Sequence, residues 1–228
     1  MQRDLLPVTP RVPGYTIHAF LESCYEVGGD LYDFRVGGDG VVLLMVGDVT
    51  GKGMGAALLM SSFLASARVL YESYTDPAEF AARLGAIINR STDSKRFVTG
   101  FVGRLDPTTH ALTYVNAGHP PPLLIRDGKL RELQSTGIPF GVLPQFPYEA
   151  RTVTMEAGEV LALFSDGIPE AQRGEELFGD ERVREAMIEA AASSDLPRMR
   201  EKIVERVRGF EGESPRSDDI TLVLVRRD

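Results

Sequence analysis

Hydrophobic positions along the chain change period several times, and each change marks an element. From Tyr15 the stretch "YTIHAFLES" alternates apolar and polar residues, the two-residue period of a half-buried strand. "DLYDFRV" and "VVLLMVGDV" follow, separated by "GGDG", a turn sequence that joins them as a hairpin. The period then lengthens. Ala56, Leu59, Met60, Phe63, Leu64, Ala67 and Tyr71 recur every three or four residues, which predicts a helix over roughly Gly55–Tyr74. A second helix, roughly Pro77–Thr92, opens with Asp76 as cap, Pro77 in the first helical position and Glu79 three residues after the cap. Its apolar face is Phe80, Leu84, Ile87 and Ile88.

Strands return in "FVTGFVGRL", "ALTYVNAG", "PPLLIRDG" and, after a loop rich in Gly and Pro, "EARTVTM" and "EVLALFSDG". Two more helices are predicted, one from near Asp180 and one from "DLPRM", with Met199, Ile203, Val207 and Phe210 on one side; "ITLVLV" closes the chain as a strand. Helices segregated from hairpin-connected strands favour an α+β layered domain over alternating βαβ units. The opening "MQRDLLPVTPRVPGY", with prolines at positions 7, 10 and 13, reads as an extended lead-in. Residues 1–13 are assigned to that lead-in and 14–228 to a single domain. The abrupt start resembles a cut made inside a longer chain.

Composition narrows the function. With 228 residues and 43% hydrophobic content, the chain is long enough to bury a sizeable core. A net charge of −8 argues against a nucleic-acid surface. No apolar run approaches the ~18 residues that span a bilayer, and no signal peptide opens the chain, so membrane insertion is not expected. The single cysteine, Cys24, excludes an internal disulfide and suits a reducing cytoplasm, the expected location. It is read as a small residue packed beside a strand, in preference to a nucleophile.

"VGDVTGKGMG" lies between a strand and a helix, where phosphate-binding loops occur. It is not a Walker A loop: Gly47 and Gly51 are separated by three residues instead of four, and Lys52 is followed by Gly53 where Ser or Thr is needed. Gly51, Gly53 and Gly55 also miss the dinucleotide spacing. The hairpin offers a different chemistry. Centred on Asp39, it places Asp30 and Asp48 nine residues to either side, so antiparallel pairing brings both carboxylates to one end. Their repulsion there calls for a cation. On this symmetry alone, two independent turn aspartates beside glycines remain an alternative. Two further strands support the cation. Asp166 ends an apolar run, and Asp218 and Asp219 begin one. If the strands alternate in direction, all these carboxylates gather at one edge, an all-oxygen donor set for Mg²⁺ or Mn²⁺ rather than zinc. Two such ions suit phosphate-ester hydrolysis, because they grip a phosphoryl oxygen and activate a water.

"VGGDLYDF", "VGDVTGKGMGAALLMS", "NAGHPPPLLI", "LFSDGIPEA" and "SDDITLVLV" occur in the order seen in bacterial metal-dependent Ser/Thr protein phosphatases of the SpoIIE and RsbU type, relatives of protein phosphatase 2C in the PPM group. The resemblance runs from about Val12 to Val225. It implies a four-layer α-β-β-α sandwich of two mainly antiparallel sheets flanked by helix pairs, with two Mn²⁺ or Mg²⁺ ions at one edge. Carried over residue by residue, it implies Asp48 as bridging ligand, the Val49 carbonyl on one metal, and Asp30, Asp166 and Asp218 as the remaining ligands, with Asp219 assisting. It also implies a metal-activated water as nucleophile and a phosphorylated anti-anti-sigma factor, a STAS-domain protein, as substrate. An upstream sensor domain would control the two helices after Asp48, and a homodimer is left open.

No counterpart is visible to the arginine that holds phosphate in eukaryotic relatives. Lys52 is read either as a substrate contact or as a solvated lysine. His119 of "NAGHP" is read as serving the turn with Asn116, the alternative being a general acid. His18 and His110 read as ordinary strand and turn residues, and Asp33, Asp93 and Asp180 as surface or capping residues. Two rival classes stand beside the phosphoprotein phosphatase: an inactive partner-binding pseudophosphatase, and a hydrolase of small phosphate esters.

Overall fold

The structure, a computed structural model, describes residues 2–71, 76–92 and 96–228. Tyr74 and Asp93, placed by the sequence at a helix end and on the surface, lie outside the described residues.

One five-stranded sheet holds β2 (Leu31–Val36), β3 (Val42–Val49), β4 (Val98–Asp106), β5 (Ala111–Ala117) and β8 (Arg151–Thr154), in that order. The other runs β1 (Tyr15–Glu22), β12 (Ile220–Arg227), β9 (Val160–Phe164), β6 (Leu123–Arg126), β7 (Lys129–Glu132). Every neighbouring pair in both is antiparallel. A small hairpin, β10 (Gln172–Arg173) with β11 (Glu176–Leu177), stands apart. The helices come in pairs: α1 (Met54–Leu70) with α2 (Pro77–Ser91), and α3 (Gly179–Ala191) with α4 (Leu196–Glu211).

The apolar runs of β3, β9 and β12 are continuous because both faces of each strand are covered. Alternate residues divide between cores. Leu43 and Met45 pack under α1 and α2, whereas Val42, Leu44 and Val46 face the opposite sheet. In the second sheet Ala162, Phe164, Leu222 and Leu224 pack under α3 and α4, whereas Leu161, Leu163, Val223 and Val225 face the first sheet. Three apolar layers thus separate four layers of structure, the α-β-β-α sandwich expected.

Helix starts follow their caps. Asp76 accepts the Ala78 N–H at 2.7 Å, and Asp195 accepts the Arg198 N–H at 2.8 Å. The first helix is described as far as Leu70, with Tyr71 as its C-cap. β7 escaped the sequence reading because its charged, exposed residues show no apolar run. The turn before it did carry a signal: Asp127 and Gly128 have φ of 52° and 72°, the paired positive angles of a tight hairpin turn. The lead-in also differs. Gln2–Leu5 forms a 3-10 turn, and Val12 is buried in the core between the sheets.

Asp33 corrects the sequence reading outright. It is only 2% exposed, and its two oxygens accept from Arg68 of α1 at 3.0 Å each, a bidentate pair tying β2 to the helix. Asp180 is exposed in the first turn of α3, as expected. Because Arg68 is itself partly exposed, Arg68→Ala should cost about 2–3 kcal/mol. Asp33→Asn in the same chain should recover part of that loss, and urea unfolding of both variants checks the pair.

Candidate active site

The inward-facing rows of the two sheets turn polar at one end of the sandwich. β2 and β3 pair Leu31 with Gly47 and Val36 with Val42, so one step further Asp30 stands opposite Asp48, as the hairpin symmetry required. Asp48 lies opposite Thr99 of β4. In the other sheet β9 and β12 pair Phe164 with Leu222, which carries Ser165 and Thr221 past each other in the same inward phase. Ser165 N–H donates to the Thr221 carbonyl at 3.1 Å, and Thr221 N–H to Ser165 Oγ at 3.0 Å. Asp166 and Asp218 lie just beyond these strands.

At this end a side-chain bond crosses between the sheets: Thr221 Oγ1 donates to Asp30 Oδ2 at 2.6 Å. Asp30 is 1% exposed, and burial followed by the charge of Asp48 holds its carboxyl well above the usual range. Burial and then Asp166 raise Asp48 to about 7, while a hydrogen bond from Asp30 opposes the rise. Burial, Glu170 and Asp218 raise Asp166 to about 6. The structure therefore brings Asp30, Asp48, Asp166, Asp218 and Asp219 close enough to act on one another electrostatically. Crowded, buried and all oxygen, this donor set fits hard divalent cations, which would relieve the repulsion that raises these carboxyls.

Asp218 and Asp219 differ in setting. Asp219 is 4% exposed and accepts the Cys24 N–H at 2.8 Å. Asp218 accepts the Asp219 N–H at 2.9 Å and pairs with Lys52 Nζ at 2.9 Å; Lys52 also donates to the Ser217 carbonyl. Lys52 is thus more than a solvated lysine, since it fastens the loop after β3 to the loop before β12. Cys24, expected merely beside a strand, also approaches the two carboxylates, and burial with the neighbouring Asp219 raises its thiol to about 11. A thiol so raised is protonated near neutral pH and is no nucleophile.

Two sets of glycines serve the site in different ways. At Gly51 and Gly53 nothing lies within 4 Å of a β-carbon, and their φ of 95° and 69° are what glycine is needed for. Close approach belongs to "VGGD" instead. A β-carbon on Gly28 would stand 1.6 Å from Asp219 Oδ2, and one on Gly29 2.7 Å from the Val49 carbonyl oxygen and 3.2 Å from Asp48 Oδ1.

His119 is buried. Its N–H donates to Asn116 Oδ1 at 2.9 Å, and Asn116 Nδ2 donates to its carbonyl at 3.1 Å, which is the turn role the sequence reading favoured. Its ring reaches further: Nδ1 meets Thr99 Oγ1 at 3.1 Å, directly beside the Asp48 row, and burial pushes the imidazole down to about 3. Such a ring is neutral at physiological pH. Sequence reasoning missed Thr99, Ser165 and Thr221. The signal was their phase, since each continues an inward apolar row with a hydroxyl.

The family model described as Stage II sporulation protein E (SpoIIE) matches residues 38–228. Protein IcfG of Synechocystis is 28% identical over the whole chain, which covers 40% of that protein. Phosphoserine phosphatase RsbU of Bacillus subtilis is 27% identical over the whole chain, which covers 68% of it. Among solved structures, the RsbU and RsbW domains of a Mycobacterium tuberculosis protein superpose with a TM-score of 0.83 at 29% identity, over 96% of this chain and 61% of that one. The chain therefore spans well under the full length of several relatives.

Two observations should follow from the carboxyl cluster. Asp48 and Asp166 stay protonated in the folded state at pH values where the unfolded chain has ionised them. In EDTA, stability should therefore be greatest at low pH and fall as pH rises from about 4 to about 7. Mn²⁺ should restore it at pH 8. Asp48→Asn should raise the Tm in EDTA, at about 2–4 °C per kcal/mol gained, and remove most of the rise caused by Mn²⁺. Thermal melts across pH check both; a pH-independent Tm in EDTA would contradict the arrangement.

Proposed function

The chain belongs to the SpoIIE family of PPM-type phosphatases, and on that premise we propose that it hydrolyses phosphoserine or phosphothreonine on a regulatory protein, with a STAS-domain anti-anti-sigma factor as substrate. The observation that carries this reading is the meeting of five aspartates, from both sheets, at the mouth of the inter-sheet core. A pseudophosphatase would have little reason to retain so costly a cluster.

Asp30, Asp48, the Val49 carbonyl, Asp166 and Asp218 would hold two Mn²⁺ or Mg²⁺ ions, with Asp219 assisting. Those ions would neutralise phosphoryl charge and lower the pKa of a water, the chemistry that phosphate-ester hydrolysis lacks on its own. The chain's own groups do the rest. Thr221 fixes the orientation of Asp30, and Gly28 and Gly29 leave the space that the Asp219 and Asp48 carboxylates occupy. Thr99 and neutral His119 buttress the strand opposite Asp48. Lys52, already near Asp218, places positive charge at the rim where a phosphorylated side chain would enter. With the His119 ring buried and its pKa near 3, the general-acid role finds no support. The proposal includes control by a sensor domain on the same polypeptide, which the greater length of several relatives supports.

Phosphate release from a phosphorylated STAS-domain protein is the direct test. Turnover should require Mn²⁺, stop in EDTA, and fall at least about 100-fold in Asp48→Asn, since losing even a partner of a metal ligand typically costs 10–100-fold. Turnover that persists in both EDTA and the variant would overturn the mechanism. Hydrolysis of p-nitrophenyl phosphate without hydrolysis of any phosphoprotein would favour the small-ester reading.

A further inference from the structure

α1 has an unusual surface for a helix that covers a sheet. Arg68 is the one charged residue among its seventeen, and it is engaged with Asp33. On the solvent side of its first half Met54 and Leu58 are 67% and 66% exposed. Beside Leu58 opens a cleft of about 470 Å³, lined by Gly55, Leu58, Ser62, Ser91, Thr92 and Arg96. The Arg96 guanidinium lies against the helix, where a β-carbon on Gly55 would stand 3.4 Å from Nη1. Among the described residues no carboxylate pairs with it, and the first turn of α1 has no acidic residue. Elsewhere Arg68, Arg83, Arg173, Arg182, Arg184 and Arg208 all hold carboxylates. In a chain of net charge −8, this cation has no carboxylate partner among the described residues and lies at a cleft.

The cleft lies a short way along the strand from the carboxylate row. The β3–β4 pairing runs past the strand ends, with Thr50 N–H donating to the Phe97 carbonyl at 3.1 Å and Phe97 N–H to Thr50 Oγ1 at 3.1 Å. Asp48 stands opposite Thr99, so Arg96 lies three residues along from that row, about 10 Å at strand rise. An extended peptide covers the same distance in about three residues. Ser91 and Thr92 spend their hydroxyl hydrogens on the Ile87 and Ile88 carbonyls at 2.9 Å, which leaves their oxygens as acceptors for peptide N–H groups.

We propose that this cleft docks the substrate chain beside its phosphorylated residue, with Arg96 pairing an aspartate or glutamate two or three positions from the phosphoserine or phosphothreonine. The proposal rests on the phosphatase reading and adds the part of the substrate that lies outside the reacting group. Charge complementarity commits the occupant. The cleft offers one unpaired cation, an apolar wall and hydroxyl acceptors, which match an acidic side chain on an extended backbone.

The test uses fluorescein-labelled phosphoserine peptides identical except for Glu or Gln at two and three residues to either side. Turnover with Mn²⁺ and binding by anisotropy are both measured. The wild type should favour one Glu peptide over its Gln partner about tenfold, mainly through KM and Kd. Arg96→Ala should erase the preference and Arg96→Lys keep part of it, with turnover of p-nitrophenyl phosphate, too small to reach the cleft, unchanged in both. Equal handling of Glu and Gln peptides by the wild type overturns the proposal, as does a preference that survives Arg96→Ala. An equal loss on p-nitrophenyl phosphate would also overturn it, by placing Arg96 at the reacting group. A dimer in solution that Leu58→Asp dissolves would assign the cleft to a second copy instead. Absence of any turnover by the wild type would count against the phosphatase reading, and the binding arm would still decide the docking role.

Discussion

The hydrogen bond from Thr221 to Asp30 joins the two sheets at the end where the carboxylates meet, and the geometry of the acidic centre depends on it. Each sheet supplies an incomplete set: Asp30 and Asp48 come from one, Asp166, Asp218 and Asp219 from the other. A small slide of one sheet over the other would separate the halves. The inter-sheet core, with Val42, Leu44 and Val46 against Leu161, Leu163, Val223 and Val225, resists that slide by close packing. Thr221 and Asp30 then set the register where the packing ends.

Concentrating buried carboxyls at one point destabilises the fold, because each ionisation raises the cost of the next. The rest of the sandwich bears this strain. Continuous apolar strands with both faces covered give each sheet two contact layers, and the pair of buried Asp33 with half-exposed Arg68 fastens α1 to the edge strand beside the site. The cluster itself carries partial relief. Lys52 pairs with Asp218, and Thr221 donates to Asp30. A divalent cation would replace both forms of relief with a stronger one.

The two helical layers are not equivalent. α3 and α4 carry many charged residues linked in exposed ion pairs, such as Arg198–Glu201 and Arg206–Glu185, the surface of helices that end at solvent. α1 is nearly uncharged, exposes Met54 and Leu58, and begins where the loop after Asp48 ends. Arg96, without a carboxylate partner among the described residues, and this apolar face therefore share one side of the sandwich, next to the loop that leads from Asp48. That concentration supports placing substrate recognition on the α1 side.

Much of this was legible in the order of residues. Strand and helix periods, the cap at Asp76, and the hairpin symmetry about Asp39 are local properties, governed by neighbours a few residues apart. The pairing of Asp30 with Asp48 followed from counting, since antiparallel register leaves one solution once the turn is placed. Elements with weak local signals were lost: β7 is short, charged and exposed, and its one clue was the Asp127-Gly128 turn. Only the tertiary structure decided which distant residues share an environment. Asp33 looked like a surface aspartate because the residue that buries and neutralises it, Arg68, lies thirty-five positions away on another element. Lys52 joined Asp218, Cys24 approached Asp219, and Thr221 found Asp30 for the same reason. These contacts depend on how two sheets stack, and sheet stacking is set by the summed packing of whole apolar faces, which no short stretch of the chain contains.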